Sequence, residues 1–439
     1  MILSENLITL CNTGQILVMA VAAGRPELWG DGSSALLSPT ALRPAFQPVV
    51  DLDNGAVVGF EALARVGPGL PALPPAEMFA WARRAGEVSA LDWSCRCAAF
   101  RSASAAGIRP PLAVLVNAEP VALDSGAPPA LAPDVRQARR ELRVIIELTE
   151  RQLAQEPVRL FRVVDTMRAL GWGLALDDVG AEPASLALLP LLQPDVIKLD
   201  RAVLLDPTAA GHAATVHAVA AEAERTGAVI VAEGIETWRQ AAMARALGAH
   251  YGQGFLWGRP TPVPDVDLPT STLPTRPPAP ARAGRAQTEA GERADRPRVH
   301  GTAELTAHIE MLFALAERDG AGVLLTDWPD PAVAARWAHR LRHAASRCAF
   351  VGSTFAARSG LPRLGVGYEF VVLGPAAAAT MVARPTDTPE AWVVSASYRR
   401  EAAIAAGQRL IRRTTPVIAS PVVPGPRTDE QLPSRVQHL

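Results

Sequence analysis

The chain has 439 residues, which is more than one ordinary compact domain needs and predicts two or three domains. Hydrophobic residues make up 49% and charged residues 20%, a composition typical of a folded globular protein. Because 43 basic residues nearly balance 44 acidic ones, the net charge of -1 provides no overall field that would favour nucleic acid or an anionic membrane. A nucleotide ligand would therefore need a local site.

The four cysteines are few and scattered along the chain. The spacing of Cys95 and Cys97 fits neither a zinc knuckle nor a redox pair, which favours a reducing compartment. The most apolar N-terminal run, residues 16–23, is about ten residues too short for a membrane span. It also lacks the basic stretch that begins a signal peptide. We therefore expect a soluble, cytoplasmic protein.

Residues 1–42 show no clear periodicity, so we expect a poorly defined N-terminal segment there. From residue 43 to residue 261, short β-branched runs alternate with helical patterns, as in βα units around a mostly parallel sheet. Eight runs are predicted to be strands, and eight is the number that closes a barrel. They are residues 46–52, 55–65, 112–118, 143–150, 172–178, 196–200, 228–235 and 252–258.

The dipeptide Asn54-Gly55 lies between the first two predicted strands and is a strong hairpin signal. The first strand is therefore predicted to run antiparallel to the second. The other strands are separated by helices long enough for right-handed crossovers. The sequence thus predicts an α/β fold, a TIM-like (β/α)8 barrel with an antiparallel first strand.

Residues 262–300 are dense in Pro, Ala, Thr and charge, and are predicted to be a linker. Residues 301–415 mix helical and strand patterns and are expected to form a smaller α/β domain. Residues 416–439 are again rich in proline and polar residues, which predicts a disordered tail.

Six predicted barrel strands carry an acid, an amide or a lysine towards their carboxyl ends: Glu61, Asn117, Glu147, Asp177 with Asp178, Lys198 and Glu233. On a barrel these ends converge on one rim, where active sites are found. Five carboxylates on one rim repel each other unless cations are present. Oxygen ligands without Cys or His indicate magnesium or manganese. For any single acid, the alternative is a solvated or salt-bridged surface residue.

The adjacent acids Asp177 and Asp178 have a physical reason in this interpretation. Neighbouring side chains on a strand point to opposite faces. At a strand end, one Asp can therefore bridge two metal ions while the other reaches the second ion from the side. Two metals about 3.5–4 Å apart suit in-line attack on a phosphodiester. Lys198 would then orient the nucleophilic water or neutralise phosphate charge.

The motifs GFEALAR, VNAEP, IELTE, LALDDVG, VIKLD, VAEGIET and GQGFLWGRP follow one another between residues 43 and 261. In order and spacing, and with FQPVVD before them, they resemble the EAL domain of cyclic-di-GMP phosphodiesterases. The resemblance implies a barrel with an antiparallel first strand, two Mg or Mn ions, and hydrolysis of cyclic di-GMP to linear pGpG. Members of this family often dimerise, so a homodimer is a further expectation.

The resemblance also implies roles for single residues. The ligands of the first metal would be Glu61, Asn117, Glu147 and Asp177. The ligands of the second would be Asp177, Asp178 and Glu233. Lys198 and Glu233 would be catalytic, and Glu150 would anchor the loop after the Asp pair.

Four further residues fall where the family holds its substrate: Gln47, Arg65, Glu236 and Gln253. Arg65 also has a chemical rationale, since its planar guanidinium suits a phosphate. The alternatives are a helix cap for Glu236 and a structural amide, bonded to strand backbone, for Gln47.

The loop after the Asp pair departs from the family. Active members usually read DDFGTGYSS, whereas this chain reads DDVGAEPAS from Asp177 to Ser185. Ala181 lacks the hydroxyl of the usual threonine, Glu182 adds a negative charge, and Pro183 removes a backbone donor. Proline can also rigidify a loop by itself.

Two functions therefore remain open: a phosphodiesterase, or a receptor that holds cyclic di-GMP without cutting it and signals through a protein partner. A scaffold that binds neither metal nor nucleotide is disfavoured, because the full set of predicted ligands is present.

The segment GVGYEFVVLGPAAAATMVARP, followed by AWVVSASYRREAAIAAGQRLIRR, resembles the DICT domain, a sensory module found beside cyclic-di-GMP proteins. This resemblance implies regulation by an unknown signal. His339 and His343 have the spacing of a metal pair on a helix. A solvated basic face is the favoured interpretation, because neither a third ligand nor an HExxH glutamate is evident.

Overall fold

The fold was determined as a computed structural model. It describes residues 8–12, 15–19, 36–68, 73–155, 157–180, 186–209, 211–266, 268–274, 297–318, 322–355, 367–374 and 377–416. The altered loop at 181–185, most of the predicted linker and the predicted tail at 417–439 lie outside these residues.

A closed barrel of eight strands forms the larger part of the structure. A separate hairpin of β1 (Ile8–Asn12) and β2 (Gln15–Met19) precedes it, within the segment expected to be poorly defined. The barrel strands are β3 (Ala45–Asp51), β4 (Val57–Leu63), β5 (Ala113–Asn117), β6 (Arg143–Thr149), β7 (Gly173–Val179), β8 (Val196–Leu199), β9 (Val229–Ala232) and β10 (Tyr251–Gln253).

The first barrel strand runs against its neighbours, as predicted. β3 pairs antiparallel with both β4 and β10, while the other barrel pairs are parallel. In the β3–β4 turn, the carboxylate of Asp51 accepts the amide of Asp53 at 2.9 Å. Gly55 adopts φ +74°, a conformation that glycine accepts without strain. The fold class predicted from the sequence is thus confirmed.

Helices surround the barrel and cover its apolar outer face. They are α1 (Pro75–Ala85), α2 (Val88–Ala105), α3 (Pro120–Ser125), α4 (Ala132–Glu141), α5 (Glu150–Gln155), α6 (Pro157–Ala169), α7 (Leu189–Leu192), α8 (Arg201–Leu205), α9 (His212–Thr226) and α10 (Trp238–Ala246). The core between strands and helices includes Phe46, Trp93, Phe100 and Phe161.

The last barrel strand is shorter than the prediction of 252–258. β10 ends at Gln253, and the chain turns at Gly254. A Cβ at Gly254 would lie 2.0 Å from the carbonyl oxygen of Ile235, so only glycine permits this close approach of two backbones. The turn ends the strand beside the rim of the barrel.

The predicted linker begins later than residue 262. Val57 and Ser271 pair through a backbone hydrogen bond of 2.9 Å, and Thr261 pairs with Phe46. Leu273 is fully buried among residues of the barrel interior, and its carbonyl accepts the guanidinium of Arg143. The sequence did not predict this contact, because a single apolar residue in a proline-rich segment produces no periodic pattern.

A second unit is built on a seven-stranded sheet with the order β11-β16-β15-β14-β12-β13-β17. Its strands are β11 (Arg298–Gly301), β12 (Val323–Trp328), β13 (Phe350–Phe355), β14 (Tyr368–Leu373), β15 (Ala378–Pro385), β16 (Ala391–Ser397) and β17 (Thr415–Pro416). Its helices are α11 (Thr302–Glu317), α12 (Pro331–Arg336), α13 (Ala338–Ala345) and α14 (Arg400–Ile411). The smaller α/β domain is therefore present. Within the described residues, no helix has the length and apolar character needed to cross a membrane.

Replacing Leu273 with alanine should destabilise the barrel by about 2–5 kcal/mol, because it leaves a cavity where a buried leucine stood. Urea denaturation measures this loss. Leu268→Ala is the matched control, since Leu268 is 42% exposed and its loss should change stability by less than about 0.5 kcal/mol. Equal effects of the two substitutions would contradict a role for Leu273 in the core.

Candidate active site

Alternation along the parallel strands sends polar side chains into the mouth of the barrel. On β6, Val144 and Ile146 pack outward, whereas Ile145 lies in the interior cluster. Glu147 follows Ile145 at a spacing of two residues and shares its inward face. The same alternation places Asn117 above Leu115, Asp177 above Ala175 and Lys198 above Val196. An apolar interior thus supports a polar layer at the carboxyl ends of the strands.

The ammonium group of Lys198 is the centre of this polar layer. Its Nζ lies 2.7 Å from Glu147, 2.7 Å from Glu233, 2.9 Å from Asp177 and 3.3 Å from Glu61. The lysine is fully buried. Burial of a charge is costly unless opposite charges surround it, and here four carboxylates do so. The structure thus brings together five of the residues proposed from the sequence.

Two amides fix the carboxylate of Glu61. Asn117 donates its Nδ2 to Glu61 at 3.0 Å and to Glu147 at 3.3 Å. Gln253 donates its Nε2 to Glu61 at 2.6 Å and to Gln47 at 3.1 Å. These bonds lock the rotamer of Glu61 and join the first, second and last barrel strands at the rim.

The pKa values of the acids around Lys198 are shifted in different directions. Burial alone would raise the pKa of Glu61, but Lys198 and the two amides outweigh it and lower the pKa. Burial, together with the charge of Glu61, holds the pKa of Glu147 well above its usual range. Burial also raises the pKa of Glu233 to about 8. Burial would lower the pKa of Lys198, but the surrounding acids raise it far above its usual range, so the lysine stays charged.

Asp178 is oriented by its backbone rather than by strand alternation. Its φ is +57°, in the left-handed region, and the pairing of β7 with β8 is irregular between Leu176 and Val179. Aspartate tolerates this conformation better than most residues. One oxygen each of Asp177, Asp178 and Glu233 lies within 4.8 Å of the others. The two adjacent acids therefore face one rim instead of opposite faces of the strand.

The donor set fits hard divalent cations. Asp177, Asp178 and Glu233 form the group of acids that is close enough to hold one ion. Glu61 and Glu147 also contact Lys198, and both accept hydrogen bonds from Asn117. Burial and the negative charge of Asp177 raise the pKa of Asp178, because both oppose a second negative charge at this position. Oxygen ligands of this kind suit Mg²⁺ or Mn²⁺.

Glu150 lies at the start of α5 and is fully buried. Its carboxylate accepts the backbone amide of Gly180 at 2.9 Å. The predicted contact of Glu150 with the chain after the Asp pair is thus present at Gly180. The changed residues Ala181, Glu182 and Pro183 lie outside the described residues.

A cleft of about 250 Å³ opens beside the carboxylates and is lined by three of the four predicted substrate residues. Gln47 and Gln253 lie on its floor, and both are buried. Glu236 lies at its edge and pairs with Arg201 at 2.8 Å. Arg65 does not line this cleft, and its guanidinium donates to the carbonyl of Ala64 at 2.8 Å.

The structural alternatives to substrate binding, a helix cap for Glu236 and a structural amide for Gln47, have different outcomes. Thr237, not Glu236, caps α10, because its hydroxyl accepts the amide of Gln240 and the side chain of Gln240 returns a bond. Gln47 does bond to backbone, donating its Nε2 to the carbonyl of Gly258 at 3.2 Å. Its Oε1 accepts Gln253, so the amide has a structural role beside the cleft.

Sequence reasoning missed three residues that line the cleft: Asp200, Arg201 and Phe255. Asp200 caps α8 through the amide of Ala202 at 2.6 Å. The motif VIKLD contains Asp200, so its position after a strand was an available signal. Phe255 is 47% exposed, and the guanidinium of Arg259 lies 4.1 Å from its ring centre. An exposed ring beside a cleft provides a surface on which a flat ligand can stack.

His339 and His343 are the candidate metal pair in the second unit. His343 is 3.9 Å from Glu317, and neither histidine joins a group of metal ligands among the described residues. Trp328 is fully buried and stacks on Trp337 at 5.8 Å, and Trp392 packs against the same core. These three tryptophans therefore pack in or against the core of the second unit.

The barrel region matches a known protein family. A family model described as the EAL domain matches residues 33–260, just over half of the chain. An uncharacterized protein of Azorhizobium caulinodans is 33% identical over 255 residues, which cover 54% of this chain and 34% of that protein.

The cyclic di-GMP phosphodiesterase RocR of Pseudomonas aeruginosa is 32% identical over 225 residues, covering 49% of this chain and 57% of RocR. The chain thus spans between about a third and somewhat more than half of these curated relatives. Klebsiella pneumoniae BlrP1, solved as a calcium and cyclic di-GMP complex, is 31% identical, with a TM-score of 0.45 over 51% of this chain and 57% of that one.

The raised pKa of Glu233 predicts a pH dependence of stability in metal-free protein. Between about pH 4.5 and pH 8, folded Glu233 keeps a proton that the unfolded chain has released, so the free energy of unfolding falls as pH rises. Thermal unfolding in EDTA across this range measures the slope, and Glu233→Gln should make it shallower. Glu224→Gln, on the exposed side of α9, is the control. An unchanged slope in Glu233→Gln would contradict the assignment.

Proposed function

Since the chain belongs to the EAL domain family, we propose that it is a metal-dependent phosphodiesterase that hydrolyses cyclic di-GMP to linear pGpG. The observation that carries this proposal is the buried Lys198 with four carboxylates within 3.3 Å, at the rim of a barrel and beside a cleft. RocR is named a cyclic di-GMP phosphodiesterase, and BlrP1 was solved with cyclic di-GMP. Both names support the choice of substrate.

We propose Mg or Mn at two positions, with ligands assigned as the sequence indicated. Glu61, Asn117, Glu147 and Asp177 would hold the first ion. Asp177, Asp178 and Glu233 would hold the second. Asn117 uses its Nδ2 to bind Glu61 and Glu147, which leaves its Oδ1 for a cation. When bound, the ions would activate a water and offset the charge of the phosphate.

In the proposed reaction, the oxygen of a water forms a bond to phosphorus, and the bond from phosphorus to the 3′ oxygen breaks. Lys198 stays protonated, so its ammonium would hold a phosphate oxygen or orient the attacking water. Glu233 would accept the proton of that water, since a base with a pKa near the working pH serves this role. The 3′ oxygen takes a proton from solvent as it leaves, Glu233 returns its proton to solvent, and the product is linear pGpG.

Substrate would be held by the cleft beside the carboxylates. Gln253 has a buried Oε1 without a hydrogen-bond partner among the described residues. An unpaired buried acceptor is costly, so a donor on the substrate would stabilise it. Phe255 offers an exposed face for a guanine base. Gln47 and Glu236 line the same cleft and complete its proposed substrate contacts, and Arg65 is proposed as a contact outside the cleft.

A receptor without catalysis is the second candidate, and the loop residues favour it. Ala181, Glu182 and Pro183 replace residues that active members usually carry after the Asp pair. The protein would then hold cyclic di-GMP without cutting it, and the signal would pass to a protein partner.

We further propose that the second unit regulates the barrel. Its sequence resembles the DICT sensory module, which we propose for residues 301–415. We also propose a cytoplasmic location, because cysteines are few. A homodimer is proposed too, and light scattering tests it.

Purified protein with Mg²⁺ or Mn²⁺ should convert cyclic di-GMP to pGpG, as measured by chromatography of the products. Glu61→Ala should abolish turnover, because it removes a metal ligand and a partner of Lys198. Glu77→Ala, on the outer helix α1, should leave the rate unchanged. Tight binding of cyclic di-GMP without any product over a long incubation would support the receptor instead.

Restoring the usual loop residues tests whether the loop limits the rate. The double variant Glu182→Gly with Pro183→Tyr should raise kcat if the altered loop slows turnover, because it removes a negative charge near the phosphate. Initial rates of pGpG formation by the two proteins provide the comparison. An unchanged or lower rate would show that this loop positions the substrate in its own way.

A further inference from the structure

Helix α14 lies between the sheet of the second unit and the barrel. Its residues Ala403, Ile404 and Leu410 belong to the same buried apolar cluster as Leu191 of the barrel. Val371 and Leu373 of the second sheet belong to this cluster as well. The two units therefore share one continuous core instead of meeting only through a linker.

Gly407 marks the point where the units meet. A Cβ added there would lie 2.7 Å from Leu191 of the barrel and 3.5 Å from Leu373 of the second sheet. Glycine in a helix interior costs about 1 kcal/mol relative to alanine, so a packing reason is expected. Here the reason is the close approach of α14 to α7.

Polar contacts hold α14 in the same position. Gln408 donates its Nε2 to the carbonyl of Leu191 at 3.0 Å. Arg412 holds both carboxylate oxygens of Asp165 on α6, at 2.5 and 2.8 Å. Exposed ion pairs contribute little free energy, whereas a bidentate geometry fixes an orientation.

The docking point belongs to the connection between two strands that carry residues of the site. α7 lies between β7, which carries Asp177 and Asp178, and β8, which carries Lys198. α7 is a single turn of four residues, too short to be stable by itself. It depends on its neighbours, since Gln408 binds the carbonyl of Leu191 and Arg168 binds that of Leu192.

On its other side, α14 is tied to its own sheet. Arg409 pairs with Glu369 of β14 at 3.1 Å, and Arg413 lies 3.6 Å from Asp327 of β12. A rearrangement of this sheet would therefore move α14, and with it the contact on α7. Packed elements of this kind pass a change from one site to another as rigid bodies.

We propose that α14 is a coupling helix through which the second unit controls the active site. Docked on α7, it holds the β7–β8 connection so that Asp178 and Lys198 keep their places at the rim. Undocking loosens this connection and lowers turnover. The expected effect on rate rests on the proposed function, whereas the docking of α14 on α7 does not depend on that function.

The test uses the full chain and two methionine substitutions on one helix. Gly407→Met drives a side chain into Leu191 and should displace α14. Ala405→Met is the matched control, because Ala405 is exposed on the same helix. Hydrogen exchange of the segment 186–195, together with kcat and KM for cyclic di-GMP, gives the readout. Tryptophan fluorescence of Trp328 and Trp337 checks that the second unit stays folded.

Gly407→Met should speed hydrogen exchange at 186–195 and lower kcat on the order of tenfold or more, since small misplacements of catalytic groups are costly. Ala405→Met should change neither. Faster exchange with an unchanged kcat would overturn the proposal, and so would unchanged exchange.

A charge swap provides a second test that does not depend on packing. Arg412→Glu should loosen the segment 186–195, and Arg412→Glu with Asp165→Arg should restore its protection. Failure of the double variant to restore protection would overturn the role of this pair in docking.

Failure of the proposed function can be distinguished from failure of the coupling proposal. If the wild-type protein produces no pGpG, hydrogen exchange and calorimetric binding of Mn²⁺ and cyclic di-GMP still test the coupling. Weaker binding in Gly407→Met than in Ala405→Met then supports it, and equal binding overturns it.

Discussion

The buried ammonium of Lys198 is the interaction on which the rest of the site depends. Four carboxylates lie within 3.3 Å of its Nζ, and the lysine itself is fully buried. The acids would repel each other without the lysine, and the lysine could not remain charged without the acids. The acids hold Lys198 in its charged form, whereas burial raises the pKa of Glu147 and Glu233 against the lowering effect of Lys198. Divalent cations would add to the same balance of charge.

The surroundings of this cluster act to keep its members in place. Asn117 and Gln253 fix Glu61 from two sides, and Glu150 holds the backbone at Gly180. The chain then passes through α7, which packs against α14 of the second unit. The Asp pair thus lies on a strand whose connection to β8 includes α7, which contacts the second unit. The proposed coupling would act through this contact.

Much of the fold could be read from local patterns, because strand runs and glycine turns act over short distances. The antiparallel first strand followed from Asn54-Gly55 alone. Other features could not be read in this way. The end of β10 depends on the close contact of Gly254 with Ile235, and Leu273 fills the barrel interior from a segment that looks like a linker. Asp178 turns to the rim through a positive φ, which strand alternation does not predict. Each depends on a partner distant in the chain or on a local break in regular geometry.

By itself, the sequence determined the class of fold, the kinds of residue at the strand ends and their suitability for oxygen-bound cations. Alternation with a period of two and the carboxyl-end position are properties of local sequence, so the acids and Lys198 were identifiable before any contact was known. Only the tertiary structure decided which of these groups touch, how burial divides their protonation, and that α14 packs on the connection between β7 and β8. The physical reason is that charge interaction and packing depend on distance in space, and closure of the barrel brings together residues as far apart as Gln47 and Gln253.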